Sequence, residues 1–299
     1  MSQNSIKSLL SLWSRKCDIL DIELIIAHVL KKNKVFVMTH PEYILTANKW
    51  AQITLLCKKR AQNYPLAYIL GYKEFYSRNF IINKHVLVPR PETELLIEKT
   101  IQSISKAKLN NILILDIGTG SGIIAITLAK ELEKHKVKII ATDISNKALS
   151  LAKLNAHLHK VDIKFYNSNL LNNSSLQNDI IQTNSTSIII VSNLPYVDLK
   201  QKEYLLSQPE SQALYFEPFN ALWSKDNGLS HYKKLITQTI TTISNNSLKN
   251  INIISFYEID SKQLEPLTKY LNSKLSDNDF NIRYFKDLSM KNRVLKWTF

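Results

Sequence analysis

Two short, unbroken apolar runs each end in a cluster of turn-forming residues, and that pattern leaves few folds open. Ile112 to Leu115 leads into Asp116-Ile117-Gly118-Thr119-Gly120-Ser121-Gly122, and Ser187 to Ser192 leads into Asn193-Leu194-Pro195-Tyr196. Runs of this length without polar alternation read as strands buried in a parallel sheet. Further strands are expected at Val137 to Thr142, Ile163 to Tyr166 and Ile251 to Tyr257, separated by helical segments such as Lys147 to His159. Strands alternating with helices predict an α/β fold with a doubly wound, mostly parallel sheet. Such sheets bind ligands beyond the carboxyl ends of their strands, where both clusters fall. The last pieces, Ile282 to Phe285 and Arg293 to Thr298, are expected to pair as an antiparallel edge.

Ahead of this region the pattern is helical. From Ser5 to about Tyr72, apolar residues such as Leu20, Leu24, Ala27 and Leu30 recur three or four apart, and Thr39-His40-Pro41-Glu42 reads as a helix start. The expected division is a small helical domain over 1–72, a hairpin linker over 73–90 and an α/β domain over 91–299. Pro89-Arg90-Pro91-Glu92-Thr93-Glu94 opens the first helix of that last domain, with carboxylates at the positive end of its dipole. Asn167 to Ser187 reads as a polar loop. The stretch from Met1 to Cys17 lacks acidic residues and faintly resembles an organelle transit peptide, but Ile6, Leu9, Leu10 and Trp13 line up as one helical face. A first domain helix is the expectation.

The chain has 299 residues, 44% of them hydrophobic, enough for a sizeable core and two domains. Its net charge of +14 suits an acidic partner, nucleic acid or ribosomal surroundings, although scattered lysines fit a solvated surface equally well. Two cysteines, Cys17 and Cys57, are too few for a disulfide framework or a Cys-rich zinc site and fit a reducing cytosol. His157 and His159, two apart on a predicted helix, point to different faces, so no metal is expected. No apolar run reaches the length of a membrane span. A cytoplasmic monomer is expected.

In the glycine cluster the backbone is free to turn tightly and approach a ligand without a Cβ in the way. Asp143 closes the next strand, placed to accept from ribose hydroxyls. The order is that of an adenosine-type site, although the full dinucleotide fingerprint is missing. It resembles the class I S-adenosylmethionine-dependent methyltransferases, whose Rossmann-like sheet carries the cofactor over its carboxyl edge. The resemblance implies cofactor contacts from Asp116, Gly118, Thr119, Gly120, Ser121, Gly122, Asp143 and Asn193, and an adenine contact from Leu170.

Asn193-Leu194-Pro195-Tyr196 reads as a clamp for a planar NH2 group. An amide or exocyclic amine nitrogen is a poor nucleophile because its lone pair is delocalised, so acceptors are needed on its hydrogens. The Asn193 carbonyl oxygen and the Leu194 backbone carbonyl are the acceptors, and Tyr196 offers a face for stacking.

Most of the chain resembles the HemK/PrmC family, the protein-(glutamine-N5) methyltransferases of peptide-chain release factors. The motifs that carry this are Pro65-Leu66-Ala67-Tyr68-Ile69-Leu70-Gly71 with Glu74-Phe75, Val88-Pro89-Arg90-Pro91-Glu92-Thr93-Glu94, Glu217-Pro218 with Ala221-Leu222, and Gly228-Leu229. The resemblance implies S-adenosylmethionine as cofactor and release factors as partners. It makes the Gly-Gly-Gln glutamine the methyl acceptor, Asn193, Leu194, Pro195 and Tyr196 the catalytic residues, and the helical domain the site of substrate recognition. Nucleic acid is not required, and ribosomal RNA stays open as a partner.

The chain departs from the family at four places. Leu194 replaces the first proline of Asn-Pro-Pro-Tyr, which predicts a slower or looser clamp, while Ser224-Lys225, Asp260 and Met290 stand at positions usually held by glycine. Asn-Leu-Pro-Tyr is also the form found in ribosomal RNA adenine dimethyltransferases. A methyltransferase of a ribosomal-protein glutamine and an inactive release-factor-binding adaptor are the remaining alternatives.

Overall fold

The computed structural model describes residues 4–243, 248, 251–275 and 280–299. The chain divides into two compact units, one reaching to Lys73 and including Leu206–Phe216, the other formed by Glu74–Leu205 and Glu217–Phe299.

The first unit is built from α1 (Ile6–Trp13), α2 (Ile19–Leu30), α3 (Lys34–Thr39), α4 (Ala47–Ala61) and α5 (Leu66–Leu70). Ser5, Asp18, Asn33 and Thr46 cap the first four helices by accepting from backbone N–H groups in the first turn. Ile6, Leu9 and Trp13 are buried in α1 as the sequence predicts. Residues 1–3 of the Met1 to Cys17 stretch lie outside the described residues. In α2 the expected helical pattern is only partly the buried stripe: Ile22, Ile25, Ile26, Ala27 and Val29 are inside, Leu24 and Leu30 are half-buried, and Leu20 is 46% exposed. Ile and Val outnumber Leu on the inner stripe, and their i, i+3, i+4, i+7 spacing defines it. The predicted helix start at Thr39 is a helix end. Pro41 disfavours helical backbone at His40, which sits at φ −125°, ψ 57°, and α3 stops at Thr39.

A short hairpin follows, β1 (Tyr72–Phe75) and β2 (Arg78–Ile81). Its turn residues Tyr76 and Ser77 both take left-handed φ, 50° and 56°, which matches the twist of a tight hairpin. Glu94 supports the turn by accepting from the Tyr76 N–H at 2.9 Å.

The sheet of the second unit contains β3 (Ile112–Ile117), β4 (Val137–Asp143), β5 (Lys164–Asn167), β6 (Ser187–Ser192), β9 (Asn252–Glu258), β10 (Asn281–Lys286) and β11 (Asn292–Thr298); β7 (Val197–Asp198) and β8 (Trp223–Ser224) form a separate two-stranded ladder. The strand order is β10-β11-β9-β6-β3-β4-β5. Five strands are parallel and β10 and β11 add the predicted antiparallel edge. All residues of β3 and β6 are buried, which is why neither strand alternates in polarity. Each fully buried Ile or Leu contributes roughly 1.5–3 kcal/mol relative to an exposed one.

Helices α6 (Thr93–Lys106), α7 (Ile123–Glu131), α8 (Asn146–Leu158), α9 (Ser174–Ile181), α11 (Phe219–Leu222), α12 (Ser230–Ile243) and α13 (Leu264–Asn272) belong to the second unit, as do the first four residues of α10 (Lys202–Ser207). Helix α9 lies in the stretch expected to be a loop. Asn173 caps it, and Leu176 and Ile180, one turn apart, are its only fully buried residues. An eight-residue helix needs no more than that to dock, so composition alone hides it. Among the described residues no helix is long and apolar enough to cross a membrane.

Candidate active site

Because β3 and β6 are adjacent parallel strands, with Asp116 beside Val191, the glycine cluster and Asn193 leave the same sheet edge side by side. Chain direction across the sheet reverses here, with β4 and β5 to one side of β3 and β6 and β9 to the other. That switch point opens a crevice. One pocket lies in it, and Gly118, Thr119, Gly120, Ser121, Asp143, Leu170, Asn193, Leu194 and Pro195 all line it. Asp116, Gly122 and Tyr196 are not in its lining.

Asp116 is fully buried behind the loop and holds its shape. Its Oδ2 accepts from Thr119 Oγ1 at 2.6 Å and from the Ala125 N–H, in the first turn of α7, at 3.2 Å. Burial pushes its carboxyl up to about 7 against those two hydrogen bonds, and Oδ1 has no partner among the described residues. The loop is also tied to β4: the N–H groups of Gly118 and Thr119 both donate to Thr142 O, at 2.9 and 2.8 Å. Asp143 Oδ2 accepts from the Gly120 N–H at 2.9 Å and Oδ1 from the Ser145 N–H at 2.8 Å. Each of its oxygens retains lone-pair capacity for a further donor. Burial raises the Asp143 carboxyl above its usual value, with these backbone donors opposing the rise. Leu170 forms part of the wall in a left-handed backbone conformation, φ 61°, which is uncommon for a non-glycine residue.

Asn193 is half-buried at the end of β6. Its Nδ2 donates to Thr93 Oγ1 at 3.1 Å, and among the described residues its Oδ1 accepts no hydrogen bond. Leu194 is buried, its N–H donating to Tyr232 Oη at 3.0 Å. Tyr196 turns its hydroxyl toward Glu258 Oε1, 3.3 Å away, and burial beside that carboxylate raises its pKa.

The leucine at 194 is held by contacts that replace proline's fixed φ. A Cβ on Gly118 would stand 2.8 Å from Leu194 Cδ2, so the side chain packs tightly onto the glycine loop. Proline at 194 has no N–H for Tyr232 and a smaller side chain for this contact. Leu194→Pro is therefore expected to lower stability by about 1–3 kcal/mol. Thermal unfolding checks this, and an unchanged midpoint would mean that neither contact matters.

Two of the other departures also have roles. Ser224 Oγ lies 2.9 Å from His231 Nδ1 and 2.9 Å from Ser230 Oγ. His231 lines the pocket and bonds the Pro195 carbonyl, and burial holds its pKa below the usual value. Asp260 caps the turn that begins α13 in a reciprocal box with Gln263. Met290 takes φ 61° in the β10–β11 connection, the left-handed region that glycine enters without strain. Arg90 is bound to buried Glu217 at 2.6 Å, and Glu217 also accepts from the Val88 N–H at 3.0 Å, so the pair pins the segment entering α6. Glu92 occupies the N-cap position of α6 without a side-chain capping bond.

Glu258, Tyr232, His231 and Gln263 were not among the residues expected from the sequence. Gln263 belongs to the capping box with Asp260, and all four meet the clamp only through folding.

Residues 14–71 match the family model of the PrmC N-terminal domain, and residues 92–206 match the methyltransferase small domain. A release factor glutamine methyltransferase of Flavobacterium psychrophilum is 37% identical over 254 residues, covering 84% of this chain and 80% of its own. One from Lactococcus lactis is 31% identical over 93% of both chains. Among solved structures, the hMettl16 catalytic domain superposes with a TM-score of 0.56 at 14% identity over 91% of each chain, a likeness of fold. Identity at this level, spread across most of both chains and both units, makes this chain a member of the release factor glutamine methyltransferase family.

Proposed function

We propose that this enzyme transfers a methyl group from S-adenosylmethionine to the side-chain amide nitrogen of the glutamine in the Gly-Gly-Gln motif of peptide-chain release factors. The observation that carries the reading is the shared pocket: Asn193, whose Oδ1 accepts no hydrogen bond among the described residues, and the glycine loop with Asp143 line one cavity. The residues present fit an adenosine-type cofactor. Asp143 offers carboxylate acceptors to vicinal hydroxyls, Leu170 and Ile144 offer apolar wall, and the loop between Gly118 and Ser121 brings backbone close without bulk.

S-adenosylmethionine supplies an electrophilic methyl carried on a sulfonium. Asn193 Oδ1 and the Leu194 carbonyl accept the two N–H bonds of the glutamine amide and aim its nitrogen. Formation of the N–C bond is matched by breaking of the methyl–sulfonium bond, whose electron pair stays on sulfur as a neutral thioether; the nitrogen becomes acidic and releases one proton to solvent, so no strong base is needed beforehand. Substrate desolvation in the crevice strengthens both hydrogen bonds.

Asp143→Ala removes the proposed ribose acceptor together with the tie to Gly120. Hydrogen bonds to a charged group are worth about 1.5–3 kcal/mol, so cofactor affinity is expected to fall on the order of 10- to 100-fold. Calorimetric titration with S-adenosylmethionine reads this directly. Unaltered affinity would remove Asp143 from the cofactor site.

The function itself is tested with methyl-labelled S-adenosylmethionine, a purified release factor and, separately, ribosomal RNA and ribosomal proteins, with mass-spectrometric mapping of the label. Label on the Gly-Gly-Gln glutamine is the expected result. Label confined to RNA or to a ribosomal protein would replace the proposed substrate, and cofactor binding with no transfer would indicate an adaptor.

A further inference from the structure

We propose that Thr93 and Glu258 fix which way round the Asn193 amide stands, and are thereby positioning residues for methyl transfer; this rests on the function proposed above. Hydrogen-bond polarity decides the orientation. A carboxylate only accepts, a hydroxyl has a single hydrogen to give, and a carboxamide presents a donor at one end and an acceptor at the other.

Glu258 is fully buried at the end of β9. Its Oε2 takes the Thr93 hydroxyl hydrogen at 2.7 Å. Thr93 then has only lone pairs left for Asn193, 3.1 Å away, and can be approached only by the Nδ2 end of the amide. The opposite orientation would set two acceptors against each other. Asn193 Oδ1 is therefore directed away from Thr93, free for a substrate N–H. A second route runs from the same residue: the Glu258 backbone carbonyl accepts from Tyr232 Oη, which in turn accepts from the Leu194 N–H. The first route orients the Asn193 side chain from Glu258, and the second ties down the Asn193–Leu194 peptide, the unit just before the Leu194 carbonyl.

Proton uptake by Glu258 would undo the polarity, because a carboxylic acid can donate to Thr93 and free the hydroxyl to point toward Asn193. Burial pushes this carboxyl up to about 7, with Thr93, Tyr196 and Arg293 opposing the rise and Glu92 adding to it. Arg293 on β11, Glu92 at the start of α6, and the hydroxyls of Tyr196 and Tyr232 are the titratable groups around it. Turnover should accordingly fall as pH drops through about 7.

The test uses the full chain with Thr93→Val, Thr93→Ser and Glu258→Gln. Readouts are S-adenosylmethionine affinity, thermal unfolding, and kcat and KM with a release factor across pH. Thr93→Val removes the acceptor at nearly constant volume and is expected to lower kcat 10- to 100-fold with cofactor affinity within about twofold. Thr93→Ser is expected to recover most of the loss. Glu258→Gln cannot titrate and, like the protonated acid, can present a donor to Thr93, so its kcat should sit near the level the wild type falls to at low pH and should lose the Glu258 acid limb. Wild-type kcat in Thr93→Val, failure of serine to rescue, or a pH profile in Glu258→Gln superimposable on that of the wild type would each overturn the proposal. A wild-type enzyme that labels no glutamine would instead overturn the function, and this proposal with it.

Discussion

Asn193→Ala is expected to lower kcat for glutamine methylation by on the order of 10²–10³-fold, the cost of losing one preorganised polar group at a reacting centre. The cofactor should still bind, because the tie of the glycine loop to Thr142 O and Asp143 involves no atom of Asn193. The loss should appear in kcat more than in KM, since the amide must be aimed only while the N–C bond forms. Stability should change little: the side chain is half-buried and makes one hydrogen bond, to Thr93. Single-turnover methyl transfer beside a cofactor titration separates the two effects. An alanine variant with wild-type turnover would show that the Leu194 carbonyl alone aims the substrate.

Parts of this molecule that depend on local sequence were legible, and parts that depend on partners far along the chain were not. The strands β3 and β6 announced themselves because burial on both faces demands a continuous apolar run, and the polar clusters ending them had to fall at the sheet edge. The antiparallel edge of β10 and β11 was equally readable. Helix α9 is hidden because two buried residues among many polar ones make too weak a period, whereas α2 is legible as a helix although isoleucines and Val29 fill most of its buried stripe. At the site, Asn193 and the glycine loop are contiguous motifs. The support behind them is not: Asn193 meets Thr93 across 100 positions and Thr93 meets Glu258 across 165. A Glu as the one charged residue of the strand Asn252–Glu258 was the available signal, since a carboxylate is rarely carried into a core without partners.

Gly228→Ala is expected to cost about 3 kcal/mol or more, the largest stability loss among the substitutions considered. Gly228 has φ +85°, and a Cβ there would lie 2.1 Å from the Tyr196 carbonyl oxygen and 2.5 Å from Gln263 Nε2. The first of these is backbone and has no rotamer to escape into. Gln263 holds the arrangement together, its Nε2 donating to Tyr196 O and Gly228 O, both at 3.0 Å, and its Oε1 accepting from the Asp260 N–H at 3.1 Å. Moving Gly228 away breaks these bonds and frees the backbone that carries Tyr196, three residues from Asn193. Moving Tyr196 away distorts the clamp directly. Either response should slow methyl transfer at temperatures well below unfolding. Gly71→Ala is the control, because Gly71 has a similar φ of +79° but nothing within 4 Å of the added methyl. Its cost should be only the left-handed strain, about 1–2 kcal/mol, with turnover intact. Equal unfolding shifts for the two variants would mean that backbone conformation alone governs Gly228. A larger shift at Gly228 accompanied by slowed transfer would identify the glycine as the space in which the clamp's backbone is seated.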